Sequence, residues 1–412
     1  MVGLVYQIKT ARQQESSKSS YGTGLVLDRC GILMTNYHVI SQAVMEPKLN
    51  QLFLVRGTEN LPLEILAVSS AHDLAVVRAP VRFERALTWA PQMPRVGDAT
   101  YSIGIPLDLN LSIVRGVFND VIPEGPYGRV HLSTPINAGM SGGPTVDVAA
   151  QLIGVNVSRA VGAQNISFAV PQNFARKLWT SLGPRPCEAP AISAEGANQA
   201  IGRELDSVQK RLTEDLFKTQ REKPDHRFGA WAVLPVPDYI DCWSRKEEDE
   251  KKRHATVREN CDMKESLYID EGLDSGALSA ERIIIERHRL NGLQFLRLVN
   301  RHIAQNSLLG DGGFAFAGKS GGRRPFGLSS CGERNVTSQS GAPIRVGLCV
   351  REMVRWPGFF DASVQLVTDV RHDQVAVQRL TFRGFRRDSI ERVVSFATEG
   401  FRRPPASESR GP

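Results

Sequence analysis

Up to residue 182 the chain repeats one pattern: a short apolar run, then a turn. The runs are LVYQIK, TGLVLD, GILMTN, QLFLVRG, LEILAVS, DLAVVRA, ATYSIGI, SIVRGVF, VHLST, LIGVNVS and ISFAVP. They are rich in Val, Ile, Leu and Gly and poor in charge. Closely spaced short strands of this kind predict an all-β barrel or sandwich. The stretch Val170 to Gly183 then predicts one terminal helix, starting after Pro171 and ending at Gly183–Pro184.

Residues 184–196, PRPCEAPAISAEG, read as a linker by composition. Charge density rises beyond it, which marks a domain boundary. Ile201, Leu205, Val208, Leu212 and Leu216 fall at helical spacing, so an amphipathic helix opens the second half. SRKEEDEKKRHATVREN follows as a polar loop, and LNGLQFLRLVNRHIAQ as a second helix. Strands are predicted at IRVGLCVREMV, ASVQLVTDV and QVAVQRLTFRG, and a last helix at DSIERVVSFATEG, capped by Asp388 or Ser389. The expected organisation is an all-β domain over 1–183, a linker over 184–196, an α+β domain over 197–402 and a disordered tail over 403–412. No internal repeat is visible.

The 412 residues suffice for two domains with separate cores. The net charge of +7 is mild, and acidic and basic residues are mixed. A nucleic-acid partner is therefore not expected. No apolar run reaches the ~20 residues of a membrane span. Nothing at the N-terminus reads as a signal peptide, so either the protein is cytosolic or an export signal lies outside this chain.

Of the six cysteines, Cys242 with Cys261 and Cys331 with Cys349 form close-spaced couples. They read as disulfides or as free thiols, with disulfides preferred. Each bridge would close a loop of roughly 20 residues, worth ~3 kcal/mol. It would also imply an oxidising compartment, periplasmic or secreted. No CxxC spacing marks a zinc site. Cys30 reads as a small packed side chain.

Candidate chemistry centres on TPINAGMSGGPTV, Thr134 to Val146. A serine hydroxyl becomes a nucleophile only when a histidine takes its proton and a carboxylate holds that histidine in the right tautomer. The developing oxyanion needs backbone N–H donors. Ser141 is the candidate nucleophile, with the amides of Gly139 and Ser141 as oxyanion hole. Gly142 and Gly143 permit close backbone packing behind it. His38 in GILMTNYHVI is the candidate base and Asp73 in AHDLAVV the candidate carboxylate. Neighbouring His72 reads as a surface residue and His131 as structural.

The order His38, Asp73, Ser141 is the chymotrypsin-type order. YGTGLVLDRCGILMTNYHVI, AHDLAVVRA and TPINAGMSGGPTVDVAAQLIGVNVS resemble the signatures of trypsin-like serine proteases, and most of all the HtrA-type branch. ISFAVPQN is similar to that branch's last strand and helix entry. The resemblance covers roughly residues 1–183. It implies a two-barrel fold, a His38–Asp73–Ser141 triad in the cleft between barrels, and a protein or peptide substrate, with no metal or cofactor. Met140 stands where zymogen-type members carry an Asp that pairs with a new N-terminus, so activation by that route is not expected.

Pro135, six before Ser141, replaces the acid of a Lys/Arg-specific pocket. Ile136 and the strand Val155–Asn156–Val157 are expected to line an apolar pocket for small or aliphatic side chains. The strand backbone would pair with an extended substrate. No PDZ-type loop marks the second half, which reads as a substrate- or partner-binding module. Nothing in the pattern specifies an oligomer.

Two rival readings exist. One is a pseudoprotease that binds peptides without cutting them. The other is an ATPase, suggested by GFAFAGKS at 313–320 and its Lys319. The following GGRRPFG starts a helix poorly, so a basic loop is preferred there.

Overall fold

The computed structural model describes residues 3–12, 15–106, 110–122, 127–157, 166–222, 236–249, 253–263, 265–304, 325–338, 341, 343–368 and 373–400. It divides into two compact units: Met1–Glu204 with Leu267–Glu271, and Leu205–Ser266 with Gly272–Pro412. The first unit therefore runs past the expected end at residue 183 and takes in a segment from the second half.

Its first half comprises β1 (Val5–Arg12), β2 (Glu15–Asp28), β3 (Ile32–Thr35), α1 (Tyr37–Met45), β4 (Asn50–Arg56), β5 (Glu59–Pro62), β6 (Glu64–Ser69) and β7 (Leu74–Arg78). The strands form one antiparallel sheet in the order β5-β4-β1-β2-β3-β7-β6. Next come β8 (Ala99–Gly104), β9 (Ser112–Ile122), β10 (Arg129–Leu132), β11 (Pro144–Val146), β12 (Leu152–Val157) and β13 (Ser167–Pro171). These close into a six-stranded barrel, β10-β13-β12-β11-β8-β9. Among the described residues, hydrogen bonding closes the second of the two expected barrels and leaves β5 and β6 at the edges of the first sheet. Helix α2 (Gln172–Thr180) follows β13, as the Pro171 and Gly183 signals predict.

Alternation explains the first sheet. In β4 the side chains of Asn50, Leu52 and Leu54 are buried while Gln51 faces solvent. Every residue of β12 is buried, because both its faces are covered. Leu25, Ile32, Met34, Leu74 and Val76 of the sheet share one core with Ile103, Val146, Leu152, Val155 and Val170 of the barrel. Burying each such side chain contributes about 1.5–3 kcal/mol. Helix α1 has no counterpart in the predicted elements.

The stretch 184–196 is not a free linker. Cys187 is disulfide-bonded to Cys30, 157 residues earlier, which corrects the reading of Cys30 as a packed free thiol. Ile192 donates its N–H to the Ile65 carbonyl at 2.8 Å, and Arg78 donates to the Ala189 carbonyl at 2.8 Å. Helix α3 (Ala194–Glu222) starts before the expected boundary.

The remaining elements are β14 (Ile240–Asp249), β15 (His254–Met263), β16 (Leu267–Asp270), β17 (Leu273–Ser275), β18 (Ala277–Arg287), α4 (Gly292–Ala304), β19 (Ser330–Thr337), β20 (Pro343–Glu352), β21 (Phe359–Thr368), β22 (Gln374–Arg386) and α5 (Arg387–Gly400). In the second unit a seven-stranded antiparallel sheet runs β14-β15-β18-β22-β21-β20-β19. Phe295 and Val299 of α4 pack on Ile283, Ile285, Val367, Val375 and Val377 of one face. The expected polar loop SRKEEDEKKRHATVREN instead contributes to the β14–β15 hairpin. Cys242–Cys261 and Cys331–Cys349 are disulfides between directly opposed residues of that hairpin and of β19–β20. A buried ion pair joins Arg282 to Glu259. The 313–320 motif and the expected tail lie outside the described residues. No described helix is long and apolar enough to cross a membrane.

Candidate active site

His38 is the second residue of α1, so its backbone N–H is one of the amides a helix start leaves without an internal partner. Asp73 supplies that partner. Its Oδ1 accepts the His38 N–H at 2.9 Å, and its Oδ2 bonds the ring Nδ1 at 2.7 Å. One buried carboxylate thus caps the helix and orients the ring. Asp73 has φ 54°, a left-handed conformation that Asp and Asn tolerate better than most side chains. Asn36, at the N-cap, does not cap α1; its Nδ2 donates to the Asp73 carbonyl at 2.7 Å and holds that conformation.

Ser141 lies in the loop entering β11. Its carbonyl accepts the Thr23 N–H at 2.7 Å, and the carbonyl of Gly139 accepts the Thr23 hydroxyl at 2.7 Å. The Thr23 hydroxyl in turn accepts the Ile105 N–H at 3.0 Å, and the Thr35 hydroxyl donates to the Thr23 carbonyl at 2.8 Å. Thr23 therefore ties the loop of the barrel to β2 and β3 of the first sheet. Gly139 and Gly142 have φ 89° and 84°. A Cβ at Gly142 would collide with the Thr23 carbonyl and the Thr35 hydroxyl, so no larger residue fits.

Met140 is fully buried against Gly104, where a Cβ would strike it. Apolar packing anchors the loop where an ion pair would otherwise do so. The Met140 carbonyl accepts the Gly143 N–H at 3.1 Å. In a planar trans peptide the next N–H points the opposite way, so the Ser141 amide is turned away from that interior bond.

The four expected substrate-contacting positions separate. Ile136 is half-buried against Phe118, Val130, Leu132 and Ala169. Val155 and Val157 are core residues, and Asn156 is fully buried. The Asn156 Nδ2 donates to the Ile103 carbonyl at 3.0 Å, and its Oδ1 accepts from Thr145. Its backbone bonds Gly142 and Gly143. Asn156 thus holds the Ser141 loop through its side chain and its backbone. Val155 pairs with Pro144 on one side and Val170 on the other.

His72 is half-buried and stacks on Phe174 at 3.8 Å, rather than standing on the surface. His131 lies near Asn119 and Phe168. Among the described residues, the two acid–cysteine clusters with metal-binding spacing each contain two sulfurs already joined in a disulfide. Thr23, Asn36 and the structural role of Asn156 were not foreseen. The glycine-flanked Thr23 in YGTG was the available signal.

Residues 22–155 match the family model of the trypsin-like peptidase domain, and this part of the chain has the trypsin-like protease fold. A probable periplasmic serine endoprotease, DegP-like, of Brucella suis is 30% identical over 171 residues, 39% of this chain and 32% of that protein. A putative serine protease, HhoA, of Synechocystis sp. is 28% identical over 186 residues, 41% of this chain and 44% of that one. A crystal structure of the Rv3671c protease from M. tuberculosis, active form, aligns with 47% of this chain and 84% of its own. Its identity is 18% and its TM-score 0.40. The chain spans less than half the length of these two curated relatives.

Proposed function

We infer that the first unit is a serine endopeptidase acting on protein or peptide substrates through an acyl-enzyme. Ser141 Oγ attacks the scissile carbonyl while His38 Nε2 takes its proton. His38 returns that proton to the leaving amine, then activates the water that releases the acyl group. Asp73 holds the ring in the tautomer that presents Nε2. The Gly139 and Ser141 amides stabilise the oxyanion. The observation that carries this reading is the doubly bonded His38–Asp73 pair, built beside a glycine-rich Ser141 loop that Thr23 clamps.

Pro135 and Ile136 support a preference for small or aliphatic side chains before the cut bond, since no acid stands where a Lys/Arg pocket would need one. Three disulfides support an oxidising compartment, periplasmic or secreted, and the Brucella relative is named a probable periplasmic endoprotease.

The test is labelling by a fluorophosphonate, in which Ser141 Oγ bonds phosphorus and fluoride leaves. Labelling of the parent that vanishes in Ser141→Ala upholds the endopeptidase. A folded parent that takes no label is the pseudoprotease instead. A peptide library digested by the parent then reads the preferred residue.

A further inference from the structure

The helix that carries His38 is held by chain from far beyond the barrels. Strand β16, part of the first unit, places three successive residues on it or beside it. The Tyr268 carbonyl accepts the Ser70 hydroxyl, three residues before Asp73. The Ile269 carbonyl accepts the Tyr37 hydroxyl at 3.0 Å, and Asp270 Oδ1 accepts the Ser41 hydroxyl at 3.4 Å. Leu267 and Ile269 are fully buried. Glu204, also distant in sequence, grips the same turn before Asp73: it accepts the Ser69 hydroxyl at 2.6 Å and the Ala71 N–H at 3.0 Å.

The Tyr268 ring is the part of this segment that reaches the site. It meets the His38 imidazole edge-on, with centroids 6.1 Å apart and planes at 79°. It meets Tyr37 in the same way, at 6.3 Å and 71°. An imidazole turns easily about its χ2 bond, whose energy wells are broad. Asp73 fixes the Nδ1 end alone. A second ring against the imidazole limits how far Nε2 can swing while His38 gains and loses its proton.

We propose that Tyr268 is a positioning residue for His38, so that reactivity at Ser141 depends on a strap, Leu267–Asp270, supplied from outside the barrels. This rests on the endopeptidase reading above. Tyr268 acts through His38, against whose ring it packs.

The experiment compares full-length parent, Tyr268→Ala, Tyr268→Phe and Ser141→Ala. Fluorophosphonate labelling rate, kcat and KM on one peptide are measured, together with solvent exchange of the proton between His38 Nδ1 and Asp73 by NMR. Tyr268→Ala is expected to lower kcat and the labelling rate about ten- to a hundredfold, the cost of a misplaced catalytic group, with KM unchanged. The shared proton is expected to exchange faster. Tyr268→Phe keeps the ring edge and restores parent behaviour. If Tyr268→Ala lowers the melting temperature, Tyr268→Leu fills the same space without an aromatic edge and takes its place.

Parent-like labelling and exchange in the ring-less variant overturn the proposal. Failure of the endopeptidase reading is separate, because it shows as a parent that takes no label. The NMR arm still decides the positioning role there: faster exchange in Tyr268→Ala upholds it, and unchanged exchange overturns it.

Discussion

Asp73 holds His38 at two points, its Oδ2 on the ring Nδ1 at 2.7 Å and its Oδ1 on the backbone N–H at 2.9 Å. Ring orientation and helix start are therefore coupled through one side chain. Asp73→Asn keeps an oxygen for one contact and tolerates the left-handed backbone. It is expected to leave the fold intact while cutting the acylation rate about 10³–10⁴-fold, since the amide favours the wrong tautomer. Asp73→Ala should also lose about 1 kcal/mol of helix capping relative to Asn. Urea unfolding and labelling rates on both variants check the separation.

Thr23 is fully buried and bonds the loops on both sides of the site. Thr23→Val keeps the shape and removes the hydroxyl. The Ile105 N–H then loses its acceptor and the Gly139 carbonyl its donor. A stability loss of about 1–3 kcal/mol is expected. Labelling of Ser141 should fall further than that stability change explains, because the Gly139 peptide is no longer fixed. Equal labelling by parent and variant would leave Thr23 a purely structural residue.

Burial pushes the Glu204 carboxyl above its ordinary value of 4.5, against the opposing hydrogen bonds from Ser69 and the Ala71 and Ser70 backbone. The folded protein then binds more protons than the unfolded chain at pH values just above 4.5. The contribution of Glu204 to stability is full below 4.5 and is lost as pH rises through the folded value. Glu204→Gln removes this titration. The parent's stability relative to the variant should fall as pH rises above 4.5, read by urea unfolding at each pH. A flat difference would mean that the hydrogen bonds keep the carboxylate ionised throughout.

The Cys30–Cys187 bridge closes the longest covalent loop in the protein among those described, spanning 157 residues. Cys30→Ala with Cys187→Ala is expected to cost about 2–5 kcal/mol by freeing the unfolded chain. Unfolding with and without reductant measures it. The double variant should respond less to reductant than the parent does.

The strands of the first unit were legible because their apolar runs are local and their turns carry glycine, as in TGLVLD and LIGVNVS. Residues 37–45 were not read as helix. Tyr37, Val39 and Ile40 form a β-favouring run, and the helix start is capped by Asp73 from the turn between β6 and β7. The β14–β15 hairpin hid for a different reason. β14 is an edge strand whose Arg245, Lys246 and Glu247 are exposed, so no period-2 apolar signal survives. The triad candidates stood in motifs, but their support did not. Glu204 and Tyr268 lie more than a hundred residues from Asp73, and no local pattern announces such a contact.

The first unit is discontinuous along the chain: it ends at Glu204 and resumes for Leu267–Glu271. Its folding therefore cannot finish as its own residues are made. The strap has to be synthesised and brought back before α1 and the Ser69–Asp73 turn gain their last partners. Contacts of such long sequence separation are slow to form, because loop closure precedes any gain from them. A chain emerging in order thus leaves the helix that carries His38 without these partners until more than half of its length exists.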